Sequence, residues 1–150
     1  MKVTESVYYV QNPFSRPGYF TSTTIILGKT IALIDVGTQE SAEESIFPYL
    51  RRLGRGPEEI SLVILTHGHS DHCGSAATIA RQTDAKIACH RLDVPLVENP
   101  KRQAELLHKR FPDQFTPPKS DPFEATKVNT VLDDGSLIEL DGRILEVVHT

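Results

Sequence analysis

The sequence predicts an α/β domain, and three observations carry that reading. An apolar run at residues 61–65, SLVIL, has the pattern of a strand buried on both faces. A polar loop, a stretch of small residues at helical spacing and a second apolar strand at 85–89 follow it, which is the order of an α/β unit. The loop itself, HGHSDH, begins after one intervening residue, Thr66, at the carboxyl end of the first strand, where such folds place their ligand sites.

The N-terminal third reads as strands. Residues 6–10 are apolar and β-branched, NPFSRPG punctuates the chain with two prolines and a glycine, and 20–27 resumes with threonines and isoleucines. A turn at Gly28-Lys29 leads into 31–36, so a hairpin or meander is expected. After Gly37 the period changes. Ser41 and Glu44 have the spacing of a capping box, and Ile46, Leu50 and Leu53 recur at helical intervals until Gly54. Pro48 requires that helix to kink or to begin late. Pro57-Glu58-Glu59 suits a single helical turn before the strand at 61–65.

Beyond the histidine loop, residues 74–82 form a helix whose Ala76, Ile79 and Ala80 make a narrow face for close packing on a sheet. Asn99-Pro100 starts the next helix, with Ala104, Leu107 and Phe111 as its expected apolar face. Lys109 and Arg110 suit the negative end of its dipole, and Pro112 stops it. Residues 112–122 read as an irregular surface loop. Strands at 128–132, 136–140 and 143–148 complete the chain, the last two joined by the hairpin dipeptide Asp141-Gly142.

At 150 residues, the prior is one domain over 1–150. The formal net charge is −4 and the 16 basic residues are dispersed, which opposes a nucleic-acid partner. The opening MKVTESVYYV lacks the apolar core of a secretory signal, and no later run approaches a membrane span. A soluble, cytoplasmic protein with no membrane partner is expected. Cys73 and Cys89 are too few for a disulfide framework and read as reduced, small core residues.

Three of the six histidines fall between His67 and His72. In an extended segment leaving a strand, His67 and His69 project to one side and can share a tetrahedral cation at roughly 2.0–2.1 Å. Asp71 and His72 can address a second point, roughly 3.5–4 Å away in a two-metal site. Neutral imidazoles leave the cation a strong Lewis acid, and a carboxylate both binds metal and orients water. Hydrolysis is the reaction class this donor set favours. Four donors in six residues are hard to read as a solvated polar loop.

The stretch Thr66-His67-Gly68-His69-Ser70-Asp71-His72 closely resembles the T-H-x-H-x-D-H motif of the metallo-β-lactamase-fold hydrolases. The strand ending in Leu33-Ile34-Asp35-Val36-Gly37 resembles that superfamily's strand with an aspartate beside the metal loop. The turn at Asp134-Gly135, the hairpin at Asp141-Gly142 and the ending Val147-Val148-His149-Thr150 fit the same order, so the resemblance spans essentially the whole chain. It implies an αββα sandwich, of which this chain supplies the first half plus the opening strands of the second.

The resemblance further implies that His67 and His69 ligate one zinc and that Asp71 and His72 ligate another, with Asp71 also orienting a zinc-bound hydroxide that attacks the substrate. Asp35 is the expected brace of the metal loop. His149 is the expected neighbour of the site rather than a ligand, because the family's ligand falls later in the segment that VVHT begins. Iron or manganese also suits histidine and carboxylate donors. On this reading the chain is an N-terminal piece with a partial site, poorly active alone. The implied parent is a hydrolase similar to the glyoxalase II-like thioesterases, acting on a small thioester, lactone or other ester, with a homodimer as an open option. The alternatives are a phosphodiesterase or nuclease of the same superfamily and a non-catalytic, truncated metal-binding module. Among the remaining residues, His90 reads as a packing or capping residue and His108 as exposed. Phe111, Phe115 and Phe123 read either as lining or covering a substrate pocket or as anchoring a loop.

Overall fold

The computed structural model describes residues 1–14, 18–116 and 122–150. Pro17 and residues 117–121 of the expected 112–122 loop lie outside the described residues. Strands β1 (Val7–Pro13), β2 (Phe20–Leu27) and β3 (Ile31–Ile34) form an antiparallel meander. To β3 are added β4 (Ile60–Leu65), β5 (Lys86–His90) and β6 (Thr130–Leu132), all parallel, giving one six-stranded sheet in chain order. A separate hairpin joins β7 (Leu137–Leu140) to β8 (Arg143–Glu146). The layers are therefore helices, the large sheet and a two-stranded second sheet.

Period-two alternation decides which side chains enter which layer. Leu33, Val63, Leu65, Ile87 and Cys89 point to the helical side, where they meet Ile46, Phe47, Leu50, Ile79 and Val97. Ile64, Ala88 and Leu132 point the other way, with Ile34 and Leu62, and meet Ile138, Leu145 and Val147 of the hairpin segment. Each fully buried side chain of this size is worth about 1.5–3 kcal/mol of transfer free energy. The outward side chains of the hairpin, Leu137 and Ile144, are exposed.

The helix after Gly37 departs from the expected capping box. Ser41 has helical φ and ψ, and its side chain makes no cap hydrogen bond. Its Oγ instead accepts from the Thr38 N–H at 2.9 Å. Pro48 lacks an amide to continue the i→i−4 ladder, and Ala42–Ile46 widens into a π-turn closed by the Phe47 N–H on the Ala42 carbonyl. Regular helix α1 (Phe47–Arg52) follows, with Pro48 tolerated in its first turn. The proline thus displaces the helix start and enlarges the preceding turn.

Beyond β4 the chain forms α2 (Ser70–Cys73), within the stretch the sequence reads as a loop, and α3 (Ala76–Gln82), the expected helix. Ser75 breaks them, and its hydroxyl donates to the Val36 carbonyl. Gly74 is required at this junction, because a Cβ there would stand 2.4 Å from the Ser70 carbonyl oxygen and 2.7 Å from the Gln39 nitrogen. After β5 come a short helix, α4 (Val94–Val97), and α5 (Pro100–Arg110), whose Asn99 cap accepts the Arg102 N–H. The face of α5 is also corrected: Phe111 is 43% exposed and Leu107 only half-buried, while Gln103 is 2% exposed. Among the described residues no helix is long and apolar enough to cross a membrane.

Asp141 and Gly142 both take positive φ, as a type I′ hairpin turn requires. The Asp141 carboxylate accepts the Lys29 N–H at 2.7 Å, pinning the hairpin tip to the turn between β2 and β3.

Candidate metal centre

Three strand ends build the candidate site. Leaving β3, Asp35 turns into the left-handed region at φ 55°, a conformation aspartate tolerates better than most residues. The Asp35 N–H still bonds the Ile64 carbonyl, and the Val36 N–H bonds the His72 carbonyl, so the ends of β3 and α2 are tied together. This places the Asp35 carboxylate, 7% exposed, beneath the loop that leaves β4. Oδ1 accepts the Thr66 N–H at 2.8 Å. Oδ2 accepts the Thr66 hydroxyl at 2.8 Å and faces His72 Nδ1 at 2.8 Å.

These contacts determine which imidazole nitrogens are free. A carboxylate only accepts, so His72 donates from Nδ1, and its neutral ring carries the lone pair on Nε2. The Thr66 hydroxyl has one hydrogen, given to Asp35. Its oxygen, 3.0 Å from His67 Nδ1, therefore accepts from that nitrogen, and His67 also presents Nε2. His69 caps α2 with extended backbone, its carbonyl accepting the His72 and Cys73 amides.

The rings of His67 and His69 lie 4.7 Å apart edge to face, and those of His67 and His72 lie 4.1 Å apart. Asp71 Oδ2 is 3.7 Å from His72 Nε2. Partial burial, then the neighbouring His72 and His69 rings, hold the His67 imidazole below the usual histidine range. The hydrogen bond to Asp35 is the main cause that raises His72. Among the described residues, no three histidine, cysteine or carboxylate side chains already converge with metal-ligand geometry. The donor chemistry nevertheless fits a divalent transition cation: two imidazoles whose neutral rings carry the lone pair on Nε2, a third beside them and a carboxylate within reach, all on one loop.

The loop is also held from the opposite side. Asp93 Oδ1 accepts the Gly68 N–H at 2.8 Å. Gln103 accepts the Ser70 N–H at 3.2 Å through Oε1 and donates from Nε2 to the Gly68 carbonyl. Neither residue is marked by the motif. A polar residue beside the expected apolar stripe of α5 is ordinary, so no signal in the sequence distinguishes Gln103. Cys73 and Cys89 are buried as expected, and burial pushes both thiols up to about 12.

A cleft of about 610 Å³ opens beside this loop, over the sheet face that meets the hairpin. Its floor is apolar, with Ile34, Ile64, Leu132 and Leu145, and its walls include His67, His90 and His149. His69, Asp71 and His72 do not line it. His149 stacks on His90 with ring centroids 4.0 Å apart and planes 6° from parallel. His90 is therefore a wall of the cleft, beyond the packing role expected from its place at a strand end. Phe111, Phe115 and Phe123 do not line the cleft: the first two are exposed against each other, and Phe123 is 2% exposed in the core behind the helices. His108, expected to be simply exposed, has Nδ1 2.6 Å from the Phe115 carbonyl oxygen.

The family model described as "Metallo-beta-lactamase superfamily" matches residues 16–150. A Bacillus subtilis protein described as "Probable metallo-hydrolase YflN" is 33% identical over 92 residues, 61% of this chain and 30% of that protein. The Saccharomyces cerevisiae "Alkyl/aryl-sulfatase BDS1" is 38% identical over 87 residues, 57% of this chain and 12% of that one. Among solved structures, the metallo-beta-lactamase GOB-18 from Elizabethkingia meningoseptica superimposes with a TM-score of 0.79 at 22% identity, covering 99% of this chain and 50% of that one. BJP-1 of Bradyrhizobium japonicum gives 0.78 at 22% identity with the same coverage. The chain thus spans half the length of these two solved structures and less of the two sequence relatives.

Proposed function

The chain belongs to the metallo-β-lactamase superfamily, and from that premise we propose that it carries the metal-binding half of a hydrolase acting on a thioester, lactone or other ester carbonyl. One observation carries the reading: Asp35 collects Thr66 and His72 so that Nδ1 of two imidazoles is occupied and Nε2 is the nitrogen each neutral ring turns to a cation, at the carboxyl end of the parallel strands.

In this proposal His67, His69, Asp71 and His72 would hold two zinc ions, with iron or manganese as substitutes. Such cations supply Lewis acidity and an acidified water at neutral pH. The residues of the chain do the rest. Asp35 keeps Nδ1 of His72 protonated, and Thr66 does the same for His67. The Asp71 carboxylate, beside His72 Nε2, orients the attacking water and receives its proton. The apolar floor at Ile34, Ile64 and Leu132 receives the acyl portion of the substrate, and His67 stands where that floor meets the loop. A net charge of −4 with dispersed basic residues supports an uncharged or weakly charged substrate over a nucleic acid. A cytoplasmic setting agrees with two buried, unpaired thiols.

The test is a calorimetric titration of chelator-treated protein with Zn²⁺, Fe²⁺ and Mn²⁺, followed by turnover on thioester, lactone and aryl-ester panels. Binding that weakens in His67→Ala and His69→Ala is expected, with slow turnover by the 150-residue chain alone. A folded chain that takes up none of these cations would refute the proposal. Cleavage of nucleic acid that fades with added salt, without ester turnover, would replace the hydrolase reading by the nuclease one.

A further inference from the structure

We infer that Gln103, assisted by Asp93, is a positioning residue for the metal loop: its side-chain amide holds the backbone on both sides of His69 and so directs that imidazole. The inference rests on the metal-centre reading above.

A neutral amide on a buried helix face has to be satisfied, because an unpaired buried polar group costs about 1–3 kcal/mol. Gln103 is 2% exposed and both ends of its amide are used. Nε2 donates to the Gly68 carbonyl, the residue before His69, and Oε1 accepts the Ser70 N–H, the residue after it. The pairing imitates a neighbouring strand, with a side chain in place of a backbone. Asp93 completes the set by accepting the Gly68 N–H at 2.8 Å.

Close packing accompanies the hydrogen bonds. A Cβ on Gly68 would stand 2.7 Å from Leu96 Cβ, so glycine lets the loop lie directly against α4. The two metal-loop residues that flank His69 are thereby anchored to one arm, residues 93–110. Asp35 grips the same loop through Thr66 and His72, on β3 and far along the chain from that arm. Among the described residues, His67 and His72 each have a side-chain hydrogen bond that fixes the ring, whereas the direction of His69 follows from its backbone.

The test uses the 150-residue chain with Gln103→Met, Gln103→Glu and, as a control on α5, Leu107→Ala, whose half-buried side chain has no hydrogen-bonding group. Amide hydrogen exchange at Ser70 is measured without metal, and Co²⁺ affinity and its visible d–d spectrum are measured on titration. At least tenfold faster Ser70 exchange is expected in Gln103→Met, which removes the acceptor of the Ser70 N–H, whereas Gln103→Glu keeps that acceptor and loses only the donor to the Gly68 carbonyl; Co²⁺ binding weakened about 10–100-fold and an altered spectrum are expected in both. The control should lower the melting temperature without moving either readout. Unchanged exchange and affinity in a folded Gln103 variant, or equal changes in Leu107→Ala, would overturn the inference. Unfolding of both Gln103 variants would also overturn it, assigning the residue to the fold. If the parent chain takes up no Co²⁺, the metal-centre reading fails and Ser70 exchange alone decides the role of Gln103.

Discussion

Replacing Asp35 by asparagine separates the fold from the ligand chemistry. The amide keeps an oxygen for the Thr66 N–H, and asparagine is well suited to the positive φ at this position. The other half becomes a donor facing two donors, the Thr66 hydroxyl and His72 Nδ1–H. Both can adapt only by reversing: the hydroxyl accepts and turns its hydrogen to His67 Nδ1, and His72 moves its proton to Nε2. Each imidazole then carries its proton on the nitrogen that would bind metal. Losing the charge from two charge-assisted hydrogen bonds lowers stability by about 1–3 kcal/mol in urea unfolding. Metal affinity should fall further, about 10–100-fold in chelator competition. Long-range ¹H–¹⁵N correlation spectra of the metal-free protein report the tautomers directly. An Asp35→Asn variant that retains Nδ1–H on both histidines, or binds zinc as tightly as the parent, would refute the reasoning. Asp35→Ala leaves three donors without an acceptor and should cost about 3–5 kcal/mol.

Other consequences are open to measurement. Gly68→Ala forces a methyl group against Leu96 and should destabilise by about 1–3 kcal/mol, read as a lower urea midpoint, with a corresponding loss of Co²⁺ affinity. The Cys89 thiol, pushed up to about 12 by burial, should resist alkylation at pH 8 in the native protein and react at once in denaturant. Because its folded value is raised above the ordinary 9.0, its contribution to stability is complete below pH 9 and is lost as pH climbs towards 12, which alkaline unfolding curves should register. Asp141→Ala removes the acceptor for the Lys29 amide, so that amide should exchange faster while those of β4 stay unchanged. Removing metal with a chelator should lower the melting temperature of the loaded chain by an amount that grows with the metal concentration originally present.

The elements legible in the sequence are those governed by near neighbours. The run 61–65 announces β4 because four successive apolar residues follow Ser61, and the dipeptide Asp141-Gly142 announces its turn because both positions need positive φ. The donor cluster is legible for the same reason, being contiguous. Contacts between distant segments are not legible from local pattern, and the brace at Asp35 is implied only by the family resemblance. Gln103 differs in no local way from a solvent-facing glutamine, and only the approach of α5 to Gly68 and Ser70 gives its amide a task. His90 and His149 are far apart in the chain and meet only because β5 and the segment after β8 end at the same rim. The π-turn at Ala42–Ile46 shows a conflict between two local signals: the helical spacing of Ile46 and Leu50 continues through Pro48, and the backbone accommodates both by widening.

The pairing of β3 with β4 has a further effect. Asp35 sits one residue past the last paired position, Ile34 with Ile64, and reaches Thr66 from there. Sliding one strand by a single residue would move that carboxylate about 3.3 Å along the sheet and turn it to the opposite face. Thr66 and His72 would then lose their acceptor together. A chain that folds in the wrong register therefore cannot assemble a working imidazole pair, and the bonds around Asp35 proofread strand alignment as they prepare the chemistry.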